Sequence, residues 1–285
     1  MQITVVVSVD SPKELTNYLQ EELLLPKKVR HFLRMRKNVL VNGEVRPFQT
    51  IVHRGDILTL TFLAEDYDVP NITLGQSERL NVVWEDEHLL AVDKPAGQKT
   101  HPNEPAENDT LLNDAAAYLQ AQGKYPYVVH RLDKETSGLV LLAKDPVILP
   151  ILGRMLEKRE IKRVYQAKVV GTIIHDLTLD MPIGRDRHDR RKRVVDLKNG
   201  QSAVTHVTVD KILSKETWVT CSLETGRTHQ IRVHLSSNGH PVVGDSLYNP
   251  KAKPDDALAL RAVSLSFIHP FTKEKITVNV EGIFL

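Results

Sequence analysis

His130-Arg131-Leu132-Asp133-Lys134-Glu135-Thr136-Ser137-Gly138 joins a short apolar strand, Tyr127 to Val129, to a stronger one, Leu139 to Ala143. The bend between them holds one carboxylate, Asp133, with a cationic neighbour and hydroxyls three and four residues later. A group at the end of a strand is held by a rigid element, and catalytic groups concentrate on loops positioned in that way. The competing reading is an Asx turn, in which Asp133 accepts nearby backbone N–H groups and nothing more. Two further stretches bear on the choice.

The first is Thr225-Gly226-Arg227-Thr228-His229-Gln230-Ile231-Arg232-Val233-His234-Leu235. It leaves a strand at Glu224, turns through Gly226, and reads as a helix capped by Thr228 and closed by Gly239. Ile231 and Leu235 lie four apart and face the core, which leaves Arg232 at the edge of the buried face. An arginine there needs a carboxylate, because a buried unpaired charge is expensive. Asp133 is the natural candidate, and the pair would keep it ionised and aimed. The second is Lys162-Arg163-Val164-Tyr165-Gln166-Ala167-Lys168-Val169, where strand alternation sends Tyr165, Ala167 and Val169 to one face. Tyr165 then points inward beside a small residue, with room for a flat ligand or simply as a core tyrosine.

The bulk numbers allow one or two domains of ordinary globular composition: 285 residues, 41% hydrophobic and 26% charged, with a formal net charge of +2. Charge is clustered. Lys27, Lys28, Arg30, Arg34, Arg36 and Lys37 fall within eleven residues that hold no acid. Arg185, Arg187, Arg190, Arg191, Lys192 and Arg193 form a second cluster, diluted by Asp186 and Asp189. Two basic patches on a near-neutral chain point to a polyanion such as nucleic acid, against the alternative of a merely solvated face. The single Cys221, in an apolar strand, reads as a core residue and fits a reducing cytoplasm. No apolar run reaches membrane-spanning length, and Met1 to Asp10 reads as a strand and not a signal peptide.

Along the chain, residues 1–63 form one unit. Leu15, Leu19 and Leu23 to Leu25 recur at helical spacing, Pro26 restarts the helix, and Val29, Phe32 and Leu33 continue it through the basic stretch. Asn42-Gly43 predicts a tight hairpin between Val39–Val41 and Glu44-Val45. Residues 64–78 are polar and weakly periodic, a linker, and residues 79–285 are strand-rich with a few helices. One helix is expected from Leu111 to about Gln122, started by Asn108 or Asp109, and another from Asp145-Pro146 to Arg159. The mixture predicts an α+β fold around a mostly antiparallel sheet, preceded by a small module of two helices and a hairpin.

Lys94-Pro95-Ala96-Gly97 with His101-Pro102, then His130 to Gly138, then Gly226 to His234, occur in an order and spacing that resemble the RluA-type pseudouridine synthases. The resemblance covers roughly residues 80 to 285. The basic helix, Val41-Asn42-Gly43 and Gly55-Asp56 resemble the alpha-L RNA-binding module, although Leu15-Thr16-Asn17 stands where an Arg-Leu-Asp opening is usual. Together they resemble the ribosomal large-subunit branch of that family. The resemblance implies isomerisation of uridine already in RNA: the N1–C1′ bond breaks, the base turns, and C5 bonds to C1′. It implies Asp133 as the essential carboxylate, Tyr165 stacking on the uracil and helping to remove the C5 proton, and Arg232 pairing with Asp133. Arg131 would fill the space of the flipped base, and His130, Arg227 and His229 would line the substrate site. No cofactor is implied, and no phosphate-binding glycine loop or His-Glu-x-x-His pair is present. His229 and His234, five apart, do not suggest a metal.

Ribosomal RNA is the expected partner, with transfer RNA as the alternative substrate, for a cytoplasmic monomer. Two other functions compete: a catalytically idle RNA-binding assembly factor, and a hydrolase with Glu135 or Glu224 as a second acid. Whether Asp133 attacks C1′, attacks C6 or takes a C2′ proton is left open by the sequence.

Overall fold

The computed structural model describes residues 1–253 and 255–283. Near the N-terminus, strands β1 (Gln2–Val6), β2 (Val39–Val41), β3 (Glu44–Val45) and β4 (Ile57–Thr61) form an antiparallel sheet in the order β1-β4-β2-β3. Asn42 and Gly43 both take positive φ, 52° and 85°, so the hairpin turns as the dipeptide predicts. Helix α1 (Lys27–Met35) buries Val29 and Leu33 and is preceded by Pro26, whose extended conformation starts it.

The main sheet contains β5 (Val82–Glu85), β6 (Leu89–Lys94), β7 (Ser137–Ala143), β8 (Lys162–Val170), β9 (Leu177–Asp180), β10 (Val204–Ile212), β11 (Glu216–Leu223) and β12 (Leu260–Ile268). Their order is β9-β10-β11-β8-β12-β7-β6-β5. Pairing is antiparallel throughout this path except between β7 and β12, which run parallel. The fold is therefore α+β with a mostly antiparallel sheet, as the strand-rich pattern predicted.

Apolar side chains lie on both faces of the sheet, with α2 (Leu111–Gln120) and α4 (Gln230–Ser237) packed into one core and α3 (Ile148–Glu157) into another. The α3 core is continuous with the N-terminal module, joining Ile3, Leu15, Leu25 and Leu58 to Leu139, Ile151 and Phe267. Polar bonds reinforce this junction: Arg154 of α3 donates to the carbonyls of Leu24 and Leu25, both at 3.0 Å.

Three helix starts differ from the sequence reading, α3 beginning at Ile148 and not at Asp145-Pro146. Thr110, not Asn108 or Asp109, begins α2, because Asn113 in the first turn accepts from the Thr110 backbone N–H at 3.2 Å. Thr228 does not cap α4: the helix starts at Gln230, and His229 precedes it in the left-handed conformation with φ 58°. That conformation turns the chain sharply out of the Thr225–Thr228 loop, which a threonine cap would not do. Gly239, with φ 85°, follows the end of α4 as expected.

Candidate active site

Ala262 on β12 links the elements of the site. It pairs with Tyr165 of β8 on one side and with Gly138 of β7 on the other. The Asp133 bend, which leads into β7, is thereby set about two strand spacings, roughly 10 Å, from the Tyr165 backbone. Gly138 is required for this approach: its φ is 107°, and a Cβ there would overlap the Ala262 carbonyl.

The bend is tied on both sides of Asp133. Thr100 Oγ1 donates to the Leu132 carbonyl at 2.9 Å and accepts its N–H at 3.1 Å. On the other side, the Lys134 carbonyl accepts from the Gly97 N–H at 2.9 Å and from Lys94 Nζ at 3.1 Å. Lys94 is fully buried and also donates to the Pro95 and Gln98 carbonyls, both at 2.8 Å. Burial lowers its pKa to about 8, and three carbonyl acceptors for its three protons favour the ammonium at neutral pH. The Lys94-Pro95-Ala96-Gly97 motif is thus a cradle for the bend.

The Asp133 side chain is not spent on an Asx turn. Among the described residues its hydrogen-bond partner is Arg232, whose Nη1 lies 3.3 Å from Oδ2. Arg232 has a second and closer carboxylate that the sequence reading missed. Asp245, 1% exposed, accepts from Arg232 Nε at 2.7 Å and Nη2 at 2.8 Å. Asp245 also accepts the backbone N–H groups of Leu247 and Tyr248. One guanidinium therefore spans two acids, with Asp245 fixing its plane and Asp133 meeting its remaining edge. The Tyr248 ring lies 5.2 Å from the Arg232 guanidinium carbon, and its hydroxyl is 2.8 Å from His229 Nδ1. Nothing local to residues 245–248 reveals these roles. The only sequence signal is that a buried arginine with five donors needs more acceptors than Asp133 supplies.

Tyr165 is 5% exposed, and burial raises its pKa, so the phenol is neutral at physiological pH. A small slot is lined by Asp133, Tyr165, Ile231 and Arg232 together with Arg131 and His229. Beside it opens a wider cleft of about 570 Å³ that shares Asp133, Tyr165, Arg131 and Arg227. His229 Nε2 lies 3.7 Å from Asp133, and burial lowers its pKa despite that acid. His130 is set into the wall: its Nε2 accepts the Leu141 N–H at 3.1 Å, and burial pulls its pKa down to about 3. Arg227 is exposed, with Nε donating to the Ser202 carbonyl at 3.0 Å.

Both hydrolase candidates fall away from a paired-acid geometry. Glu224 is held by Arg159 and by His206, the latter at 2.7 Å, and Glu135 is exposed and lines neither the slot nor the cleft. In the basic cluster of α1, Lys27, Lys28, Arg34 and Lys37 are exposed. Arg36 is instead paired with Glu65 and Asp66 at 2.8 and 2.7 Å, and Arg30 donates to Gln20 at 2.5 Å. Among the described residues there is no group of three side chains able to hold a metal, and no helix is long and apolar enough to cross a membrane.

A carboxylate on a strand-end bend, a guanidinium across from it and a buried tyrosine thus meet at one slot. The chain belongs to the RNA pseudouridylate synthase family, whose model matches residues 88–237, and its activity is that of an isomerase acting on RNA. Residues 3–58 match a second model, the N-terminal domain of RluD ribosomal pseudouridine synthase. An uncharacterised RNA pseudouridine synthase of Bacillus subtilis is 41% identical over 249 residues, covering 85% of this chain and 81% of that protein. Ribosomal large subunit pseudouridine synthase D of Vibrio cholerae is 35% identical, covering 84% and 78% respectively. The homologue of the same name from Neisseria meningitidis serogroup B is 40% identical over 70% of this chain, which spans 57% of its length. Among solved structures, human RNA pseudouridylate synthase domain containing 1 superposes with a TM-score of 0.60 at 25% identity, covering 75% of this chain and 88% of that one.

Proposed function

We propose that this enzyme converts specific uridines of large-subunit ribosomal RNA to pseudouridine, as a cytoplasmic monomer that needs no cofactor. The Asp133–Arg232–Asp245 arrangement beside Tyr165 carries the reading. It fixes one carboxylate at a slot lined by Tyr165 while a second acid holds the arginine in place.

The target base leaves its stack and enters the slot, at a cost of a few kcal/mol that loops reduce. Stacking on the Tyr165 ring offsets about 1–3 kcal/mol of it. Asp133 then faces the nucleoside, where attack at C1′, attack at C6 or removal of a C2′ proton each begins from the carboxylate. Breakage of N1–C1′ and rotation of the base bring C5 to C1′. Loss of the C5 proton and protonation of N1 complete an isomerisation with no net gain or loss of atoms. The Tyr165 hydroxyl, which has no hydrogen-bond partner among the described residues, is free to take part in that proton movement. Arg131, exposed at the mouth of both cavities, takes the place of the extruded base, and Arg227 and His229 line its path. Residues 1–63 add an RNA-binding module, with Lys27, Lys28, Arg34 and Lys37 as its phosphate contacts.

The test is pseudouridine mapping of RNA from cells lacking the gene, complemented with the intact protein or with Asp133→Asn. Particular large-subunit uridines should lose the modification and regain it only with intact protein. Restoration by Asp133→Asn would remove the assigned role, and loss confined to transfer RNA would overturn the substrate.

A further inference from the structure

Arg163 has no part in the chemistry described above, and its surroundings are unusual. It lies two residues before Tyr165 on the same buried face of β8 and is 8% exposed. No hydrogen bond, ion pair or aromatic ring meets its guanidinium among the described residues, and Nε is buried without a partner. A buried arginine with no counter-charge costs stability, and a fold keeps one only if something else supplies the anion.

Gly226 makes room for it. Its φ is outside the left-handed region, so no turn geometry demands glycine there. A Cβ at 226 would lie 2.8 Å from Arg163 Nη1. The guanidinium therefore sits directly against the Gly226 backbone. Arg163 also lines the wider cleft and not the small slot, so it works beside the base and not on it. Of the acids on that cleft, Glu224 is already taken by Arg159 and His206, and Asp133 by Arg232.

We propose that Arg163 is a phosphate-binding residue that takes a backbone phosphate of the RNA adjacent to the target uridine. The spacing supports a phosphate over the uracil itself. Residues i and i+2 of a strand are separated by about 6.5–7 Å. A ring stacked on Tyr165 and its own phosphate are kept apart by the intervening ribose on the same scale. Arg131 and Arg227, exposed on the same cleft, add positive potential along the strand's path. The planar fork of Arg163 matches two phosphate oxygens, which a lysine would not. The proposal rests on the RNA-isomerase reading given above and adds the group that positions the nucleotide.

The experiment uses the full-length enzyme and a synthetic stem-loop carrying a uridine identified by mapping. The linkage on either its 5′ or its 3′ side is native or a neutral methylphosphonate. Wild-type kcat/KM should fall about ten- to hundredfold for one of the two neutral linkages, the scale of a lost charge-assisted contact. Arg163→Met should lose a similar factor on native RNA and no more than about twofold further on that neutral RNA. Arg163→Lys should fall between. The Tm of Arg163→Met should equal or exceed that of wild type, since an unpaired buried charge has been removed. Multiplicative losses at both linkages, or wild-type turnover by Arg163→Met, would overturn the assignment. Absence of any conversion by the wild type would instead count against the functional reading. In that case the salt dependence of stem-loop binding decides for Arg163: a slope reduced by about 0.7 in Arg163→Met supports the contact, and an unchanged slope removes it.

Discussion

At the residue scale, Asp133, Tyr165 and Arg232 were legible because each stands in a local pattern with a physical reading: an acid at a strand end, an inward aromatic, and a buried cation on a helix. Asp245 was not, since its partner is 13 residues away and its only local sign is a turn. It is nevertheless the stronger partner of Arg232, with two bonds at 2.7 and 2.8 Å against one at 3.3 Å to Asp133. Asp245→Asn keeps the volume but replaces an acceptor by a donor facing a guanidinium. The change is expected to cost about 3–5 kcal/mol of unfolding free energy, the scale seen when one partner of a buried ion pair is removed. It should also draw Arg232 toward Asp133 and reduce turnover at least tenfold. Urea unfolding with single-turnover assays on the same variant checks both effects, and wild-type stability would show that Asp133 alone satisfies Arg232.

Elements were predicted well where a period or a turn dipeptide decided them, as with the Asn42-Gly43 hairpin and the alternation of β8. Helix starts were less legible. Asn108, Asp109 and Thr110 are all good caps, and only the side chain of Asn113 selects the last. The start of α4 depends on His229 adopting a left-handed conformation, which its neighbours in space impose and no propensity foretells. The segment between β6 and α2 carries a similar hidden role. Lys94 ends β6 and ties three carbonyls, one of them at residue 134, so it supports the Asp133 bend from another element. Lys94→Met leaves the Pro95 and Gln98 carbonyls without their donor, while the Gly97 N–H still meets the Lys134 carbonyl, which should cost about 2 kcal/mol or more. Turnover should fall with it while affinity for RNA changes little, because Lys94 is not exposed to RNA. Urea midpoints and a binding titration separate the two, and a variant that folds and turns over normally would show that Thr100 and Gly97 suffice.

For the whole molecule, the order of motifs along the chain was enough to indicate the fold, because each motif ends up where strands of one sheet meet. The continuity of the core across the N-terminal module and α3 was not legible, since polar residues 64–78 read as a spacer and the contacts form between distant segments. Burial of histidine is another property of the assembled molecule. His130, His229 and His234 are all held below their ordinary pKa by burial, His130 at about 3. A histidine whose folded pKa is depressed takes up protons more readily when unfolded. Its contribution to stability is thus complete above an unfolded pKa of about 6.5 and is lost as pH falls toward the folded value. For each such group the slope is at most about 1.4 kcal/mol per pH unit. Carboxylates with lowered pKa, such as Asp56, Glu85 and Asp86, push in the same direction, but only near and below their own unfolded values of about 4. The interval from pH 6.5 to 5 therefore isolates the histidines. Unfolding free energy measured in urea should decline across it, and His130→Gln, which can still accept the Leu141 N–H, should flatten the decline. A stability that stays level or rises from pH 6.5 to 5 would mean that these rings become charged in the folded protein, and that the wall behind Asp133 is wetter than its packing indicates.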